Sequence, residues 1–226
     1  AETAREAGVR LVTGDTKVVN RGHGDGVFIN TAGVGVVPEG VSLGGEQCKP
    51  GDKVLVSGTL GDHGITVMSC REGLSFSADL QSDAAPLNHL IAEVLAVAPN
   101  TRCFRDPTRG GLASTLNEFA DQAQVDITIE EDSVPVKDAV RGACEMLGYD
   151  VLQVANEGKM VCVVPADEAD AALGAMRTNK YGVDAAIIGE VGEMQPERGP
   201  KVYLRTAFGG KRILDMLVGE QLPRIC

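Results

Sequence analysis

The residues best equipped for chemistry lie in four short runs. The chain stops on Cys226, in "LPRIC", with Pro223 and Arg224 just ahead of the thiol. A terminus seldom reaches a core and an exposed thiol is a liability unless it is used, so Cys226 is expected to be a reactive group on a tethered tail. "VTGDTKVV" places Asp15, Thr16 and Lys17 at a glycine turn after the apolar residues 9–12. A carboxylate beside a lysine at a strand end suits a metal and a phosphate held together, while a turn with solvated charges is the simpler reading of spacing alone. No GxxxxGK(S/T) phosphate loop occurs anywhere.

"RDPTRGGLASTLNEFA" is more specific. Asp106 and Thr108 precede a predicted helix whose first turn carries Arg109, Gly110 and Gly111. Free N–H groups, a positive dipole end and an arginine fork converge on one anion there, and the glycines are expected to let a bulky ligand approach the backbone. An ordinary N-cap accounts for Asp106 or Thr108 but not for the rest. "VANEGK" sets Asn156, Glu157 and Lys159 at a Gly158 turn, by default a hairpin-type turn; facing a cleft, Glu157 would be a proton acceptor. His23, His63 and His89 lack metal-ligand spacing and are read as surface or packed residues, and the cysteines other than Cys226 as small core residues.

The elements that must position these runs alternate. Residues 1–8 read as a helix ended by Gly8, 9–12 as a buried strand, and the alternation in "GVFINTAGVGVV" as sheet. A turn-rich stretch around residues 38–52 marks a domain boundary. Beyond it, "KVLVSGTLG", "DITIE", "KMVCVVP", "AAIIGEV" and "KVYLR" read as strands, and "PLNHLIAEVLAVA", "GGLASTLNEFADQA", "VKDAVRGACEMLG" and "ADEADAALGAMR" as helices. Interleaving of this kind indicates α/β or α+β layers, not a bundle or a sandwich. The 226 residues suffice for a core without crosslinks. A net charge of −11 disfavours nucleic acid and anionic lipid, and no apolar run approaches the roughly 20 residues a membrane span needs. Scattered cysteines without CxxC pairing point to a reduced, cytoplasmic setting.

Taken together, "TGDTKVV", "DPTRGGLA", "ANEGK" and "PRIC", in that order and spacing, resemble the HypE family of hydrogenase maturation proteins, carbamoyl dehydratases of the PurM/AIR-synthetase-like superfamily. The resemblance covers essentially the whole chain, and the PRIC ending is its most specific element. It implies a PurM-type α/β fold: residues 1–48 as the remainder of an N-terminal ATP-binding domain, 49–196 as a complete C-terminal domain, and 197–226 as a C-terminal segment with a mobile tail. It also implies that an N-terminal portion bearing a further Mg²⁺- and nucleotide-binding Asp and the strands of the family's homodimer is missing ahead of Ala1, so that the isolated chain binds ATP poorly or associates differently.

The resemblance further implies a reaction. Cys226 would receive a carbamoyl group from HypF, ATP with Mg²⁺ would drive its dehydration to a thiocyanate, and the HypC–HypD complex would take the cyanide for the iron of a nickel–iron hydrogenase. In that scheme Glu157 is the base, Lys17 a second group that handles the proton, and Asn156 the residue orienting the amide. Asp15, Thr16, Lys17, Asp106, Thr108, Arg109, Gly110 and Gly111 hold the nucleotide and its phosphates, with Asp15 also a Mg²⁺ ligand. Two other readings compete: another ATP-dependent ligase or kinase of the superfamily, which would have no need of Cys226, and a non-catalytic carrier that only delivers a modified thiol.

Overall fold

In the computed structural model the described residues are 2–72 and 80–216, and the chain divides into two units, Ala1–Val41 and Ser42–Cys226. In the first unit, helix-forming residues give α1 (Glu2–Glu6), which ends where Gly8 takes a φ of +67° and the Val9 N–H donates to the Ala4 carbonyl. The strands expected over 9–12 and 26–37 are not formed. Leu11, Val12, Val27, Ile29 and Val36 are exposed, and Phe28 is 79% exposed. Alternation specifies only which side a strand would bury; a strand also needs a ladder partner, and no described residue of this unit offers one.

The second unit holds β1 (Lys53–Val56), α2 (Asp62–Glu72), α3 (Asn88–Val97), β2 (Cys103–Arg105), α4 (Gly111–Ala123), β3 (Asp126–Glu130), α5 (Asp138–Leu147), β4 (Val161–Val164), α6 (Ala169–Thr178), β5 (Ala186–Gly192), β6 (Val202–Arg205) and β7 (Lys211–Ile213). The strands form one sheet in the order β2-β4-β1-β5-β3-β6-β7, antiparallel except where β3 lies parallel to β6. Strand alternation sorts the side chains onto two faces. Val54, Val56, Val161 and Val163 pack with Leu112, Leu116 and Phe119 of α4. Leu55, Cys162 and Val164 pack with Leu90 and Val94 of α3 and Met176 of α6. A smaller cluster of Ile65, Val140, Ala143, Cys144 and Val154 joins α2 to α5.

Three elements were not anticipated. In α2, Gly64, Thr66, Val67 and Ser69 are indifferent helix formers, so propensity concealed it. Strand β2 has only three residues, and β7 is made by a hairpin with β6 across a turn in which Gly209 takes φ +80°. That hairpin carries the sheet to Ile213, inside the stretch expected to be tail. The remainder of that tail, with Pro223, Arg224 and Cys226, lies outside the described residues. Cys48, Cys103, Cys144 and Cys162 are buried as expected, but Cys70, on the last turn of α2, is exposed.

Candidate functional site

Three loops at one end of the second unit are bound to one another through backbone groups. They are the β1–α2 loop "SGTLGDHG", the β2–α4 loop "DPTRGG", and the loop "VANEGK" ahead of β4. Asn156 joins all three. It is 1% exposed; its Oδ1 accepts the Gly61 N–H at 2.7 Å, and its Nδ2 donates to the Pro107 carbonyl at 3.1 Å and the Val154 carbonyl at 2.9 Å. Its own N–H also donates to Pro107 O. Both amide hydrogens are therefore consumed within the protein. The sequence reading gave Asn156 the task of orienting a substrate amide; the structure makes it the residue that fixes the loops.

Small residues allow this close packing. Gly111 has φ +61°, and a Cβ there would lie 2.7 Å from the carbonyl oxygens of Leu152 and Val154. The expectation that this glycine clears space for a ligand is corrected: it clears space for the protein's own backbone. Gly64 donates its N–H to Ala155 O at 3.1 Å and would place a Cβ 2.4 Å from Val154 Cγ1.

Asp106 and Thr108 do not cap α4. Thr108 Oγ1 donates to Asp106 Oδ2 at 2.7 Å, and Arg105 faces Asp106 Oδ1 at 3.6 Å, while the N-cap position is taken by Gly110 in the left-handed region. Arg109 stands exposed beside this helix start and makes no ion pair among the described residues. Such an arginine at the head of a 13-residue helix is free to meet an anion. In the first unit, Asp15, Thr16 and Lys17 lie in exposed chain without regular structure, and Asp15 Oδ1 accepts the Thr16 N–H at 2.8 Å.

Glu157 is half-buried, with Oε1 enclosed and without a hydrogen-bond partner among the described residues. Its N–H and that of Gly158 both donate to Asp83 Oδ1, at 3.0 and 3.1 Å. Asp62, 2% exposed, accepts from Thr59 Oγ1 at 2.5 Å and from Lys137 Nζ at 3.0 Å, and its Oδ1 is also enclosed without a partner among the described residues. His63 Nδ1 lies 2.9 Å from Ser82 Oγ. Sequence reasoning missed Asp62, Asp83 and Lys137, and set His63 aside. The glycine-studded run after β1 was a usable signal for Asp62 and His63; Asp83 carries none, because its partners are more than seventy positions away.

Residues 49–199 match the family described as AIR synthase related protein, C-terminal domain. A crystal structure of the hydrogenase maturation protein HypE in complex with ATP superposes with a TM-score of 0.93 at 47% identity, covering all of this chain and 68% of that one. The chain belongs to the HypE family. The HypE of a HypE–HypF complex is likewise similar, with a TM-score of 0.91, 48% identity and coverage of 96% of this chain and 69% of that one. The carbamoyl dehydratase HypE of Azotobacter vinelandii is 55% identical over all 226 residues, and this chain spans 65% of its length. Within this HypE-family fold, "DPTRGG" and "ANEGK" meet through Asn156 and Pro107, although 49 residues separate the two. No helix among the described residues is long and apolar enough to cross a membrane.

Proposed function

We propose that this chain takes part in the ATP-dependent dehydration of a carbamoyl group on Cys226, giving a thiocyanate that supplies cyanide to the iron of a nickel–iron hydrogenase. The observation that carries the reading is Glu157: a carboxylate with one oxygen enclosed and without a partner among the described residues, on a turn fixed through its backbone, next to Asn156, which is bonded to the loop of Arg109. An amide oxygen is a poor leaving group. Phosphorylated by ATP, it departs with phosphate once a base removes the remaining nitrogen proton and the carbon–nitrogen triple bond closes. The S-carboxamide and ATP thus become thiocyanate, ADP and phosphate, and the thiol peptide loses the elements of one water.

Arg109 neutralises phosphate charge at the α4 terminus, and Glu157 takes the proton; the Gly111 N–H, which donates to Thr108 O at 3.0 Å, shapes the turn that carries Arg109. Lys17, Asp15 and Thr16 are assigned to the nucleotide by the family resemblance alone. Asp106 and Thr108 hold the shape of the loop that carries Arg109. A Mg²⁺ ion accompanying ATP needs more than Asp15 offers. That carboxylate is exposed and already accepts the Thr16 N–H, and no cluster of three or more His, Cys, Asp or Glu forms a cation site among the described residues.

HypF is the proposed carbamoyl donor and the HypC–HypD complex the cyanide acceptor, with the reaction set in the cytoplasm, where free thiols stay reduced. The test is mass spectrometry of the C-terminal peptide in this chain extended to the length of its relatives. With ATP, the carbamoylated protein loses one water and forms ADP, whereas Glu157→Gln binds ATP and keeps the carboxamide. Normal thiocyanate formation by Glu157→Gln removes Glu157 from the mechanism, and no water loss by the unsubstituted protein removes the dehydratase reading.

A further inference from the structure

Glu157 owes its position to a residue far away in sequence. The Asp83 Oδ1 atom accepts both the Glu157 and the Gly158 N–H, so one carboxylate oxygen fixes the turn. Contact is close enough that a Cβ on Gly158 would lie 1.6 Å from Asp83 O and 2.7 Å from Ala85 N. Asp83 Oδ2, like Glu157 Oε1, is enclosed and has no hydrogen-bond partner among the described residues. Enclosed polar atoms without partners are costly and concentrate where a site has work to do.

Asp83 itself sits in residues 80–87, which form neither helix nor strand, so no ladder places it. Ser82 does. Its Oγ accepts the Ala84 N–H at 3.2 Å and lies 2.9 Å from Nδ1 of His63, in the first turn of α2. His63 is flanked by Gly61, bonded to Asn156, and Gly64, bonded to Ala155. The connections close a ring: from Asn156 to Gly61, along the chain to His63, across to Ser82, on to Asp83, and back to Glu157 beside Asn156.

We propose that Asp83 is a positioning residue for the Glu157 base, and that the His63–Ser82 pair holds Asp83 in place. This rests on the dehydratase reading of Glu157 but makes a separate claim about what sets its geometry. A base displaced by about 1 Å loses as much as a hundredfold in rate, whereas the loop of Arg109 is held at Pro107 by Asn156, which a change at Asp83 leaves in place.

The experiment uses the chain extended to the length of its relatives, with Cys226 carbamoylated. Asp83→Ala is expected to slow single-turnover water loss by about tenfold to a hundredfold, with ATP affinity within about twofold of the unsubstituted protein. Asp83→Asn, which keeps an acceptor oxygen at Oδ1, is expected to retain most of the rate and covers the case in which the alanine variant does not fold. In a Glu157→Gln background Asp83→Ala is expected to slow any residual water loss by no more than about twofold, since the two act as a unit. His63→Asn, which keeps a group at the Nδ1 position, is expected to exceed His63→Ala in rate.

Amide exchange at Glu157 and Gly158 reads the positioning without reference to activity and should accelerate in Asp83→Ala. Unchanged exchange and unchanged rate in Asp83→Ala overturn the proposal, as does an equal slowing with and without Glu157. Faster exchange in a protein whose unsubstituted form loses no water upholds the positioning and discards the dehydratase reading alone.

Discussion

Asn156 Oδ1 accepts the Gly61 N–H at 2.7 Å across 95 residues of sequence, and this bond ties the loop after β1 to the loop before β4. The same side chain then reaches Pro107 O and Val154 O. Replacing it with alanine takes the side-chain partner from the Gly61 N–H and Val154 O and leaves Pro107 O with only the residue-156 N–H. Asn156→Ala is expected to cost about 2–4 kcal/mol in urea denaturation. Asn156→Asp keeps the acceptor, loses both donors and buries a charge, so it is expected to destabilise as well. A stability loss near zero for either variant would mean that water replaces the side chain.

Gly111 and Gly142 make a matched pair. Alanine at Gly111 meets two carbonyl oxygens at 2.7 Å in a left-handed conformation, so about 2–4 kcal/mol should be lost. Alanine at Gly142, within α5 and with nothing within 4 Å of its Cβ, should gain about 0.5–1 kcal/mol. Thermal denaturation of the two variants reads opposite signs.

Arg102 and Asp52 form a two-pronged ion pair, Nε to Oδ2 at 3.0 Å and Nη2 to Oδ1 at 3.2 Å, and the bond to Asp52 holds the guanidinium above its ordinary range. Asp52 is 4% exposed, and its carboxylate also accepts the Lys49 N–H. Arg102→Ala is expected to lose about 2–3 kcal/mol, chiefly from the stranded carboxylate. The double variant Asp52→Asn with Arg102→Ala should recover part of it, measured by a double-mutant cycle.

Burial, helped by the nearby Asp150 charge, pushes the Cys144 thiol from 9.0 up to about 11. In the unfolded chain it ionises at its ordinary value, so above that value the unfolded state binds fewer protons than the folded one. The stabilisation is complete below pH 9 and is lost as pH rises toward 11, by about 2–3 kcal/mol at most. The thiols of Cys103 and Cys162 are pushed up as well, the first mainly by its bond to Cys48 and the second by burial, and act in the same direction. Urea midpoints taken from pH 8 to pH 11 should fall, and Cys144→Ala should flatten the fall.

What the sequence determined by itself is local. Helix α4 follows from "GLASTLNEFADQA" and the strands β3 and β4 from short apolar runs, because each depends on neighbours a few residues apart. The fate of the alternating residues 26–37 was not legible, since pattern names a face to be buried without naming what buries it. Nor was the site's support. Asp83 carries no local mark, Asn156 looked like a substrate contact, and Gly111 looked like a ligand's clearance. Only the tertiary structure brings Asp83 to Glu157, Gly61 to Asn156, and Gly111 to the Leu152 and Val154 carbonyls. The physical reason is that the Gly61, Glu157 and Gly158 N–H groups are satisfied by side-chain oxygens 74 to 95 residues away, and a buried N–H donates to whichever oxygen the packing of sheet and helices delivers to it.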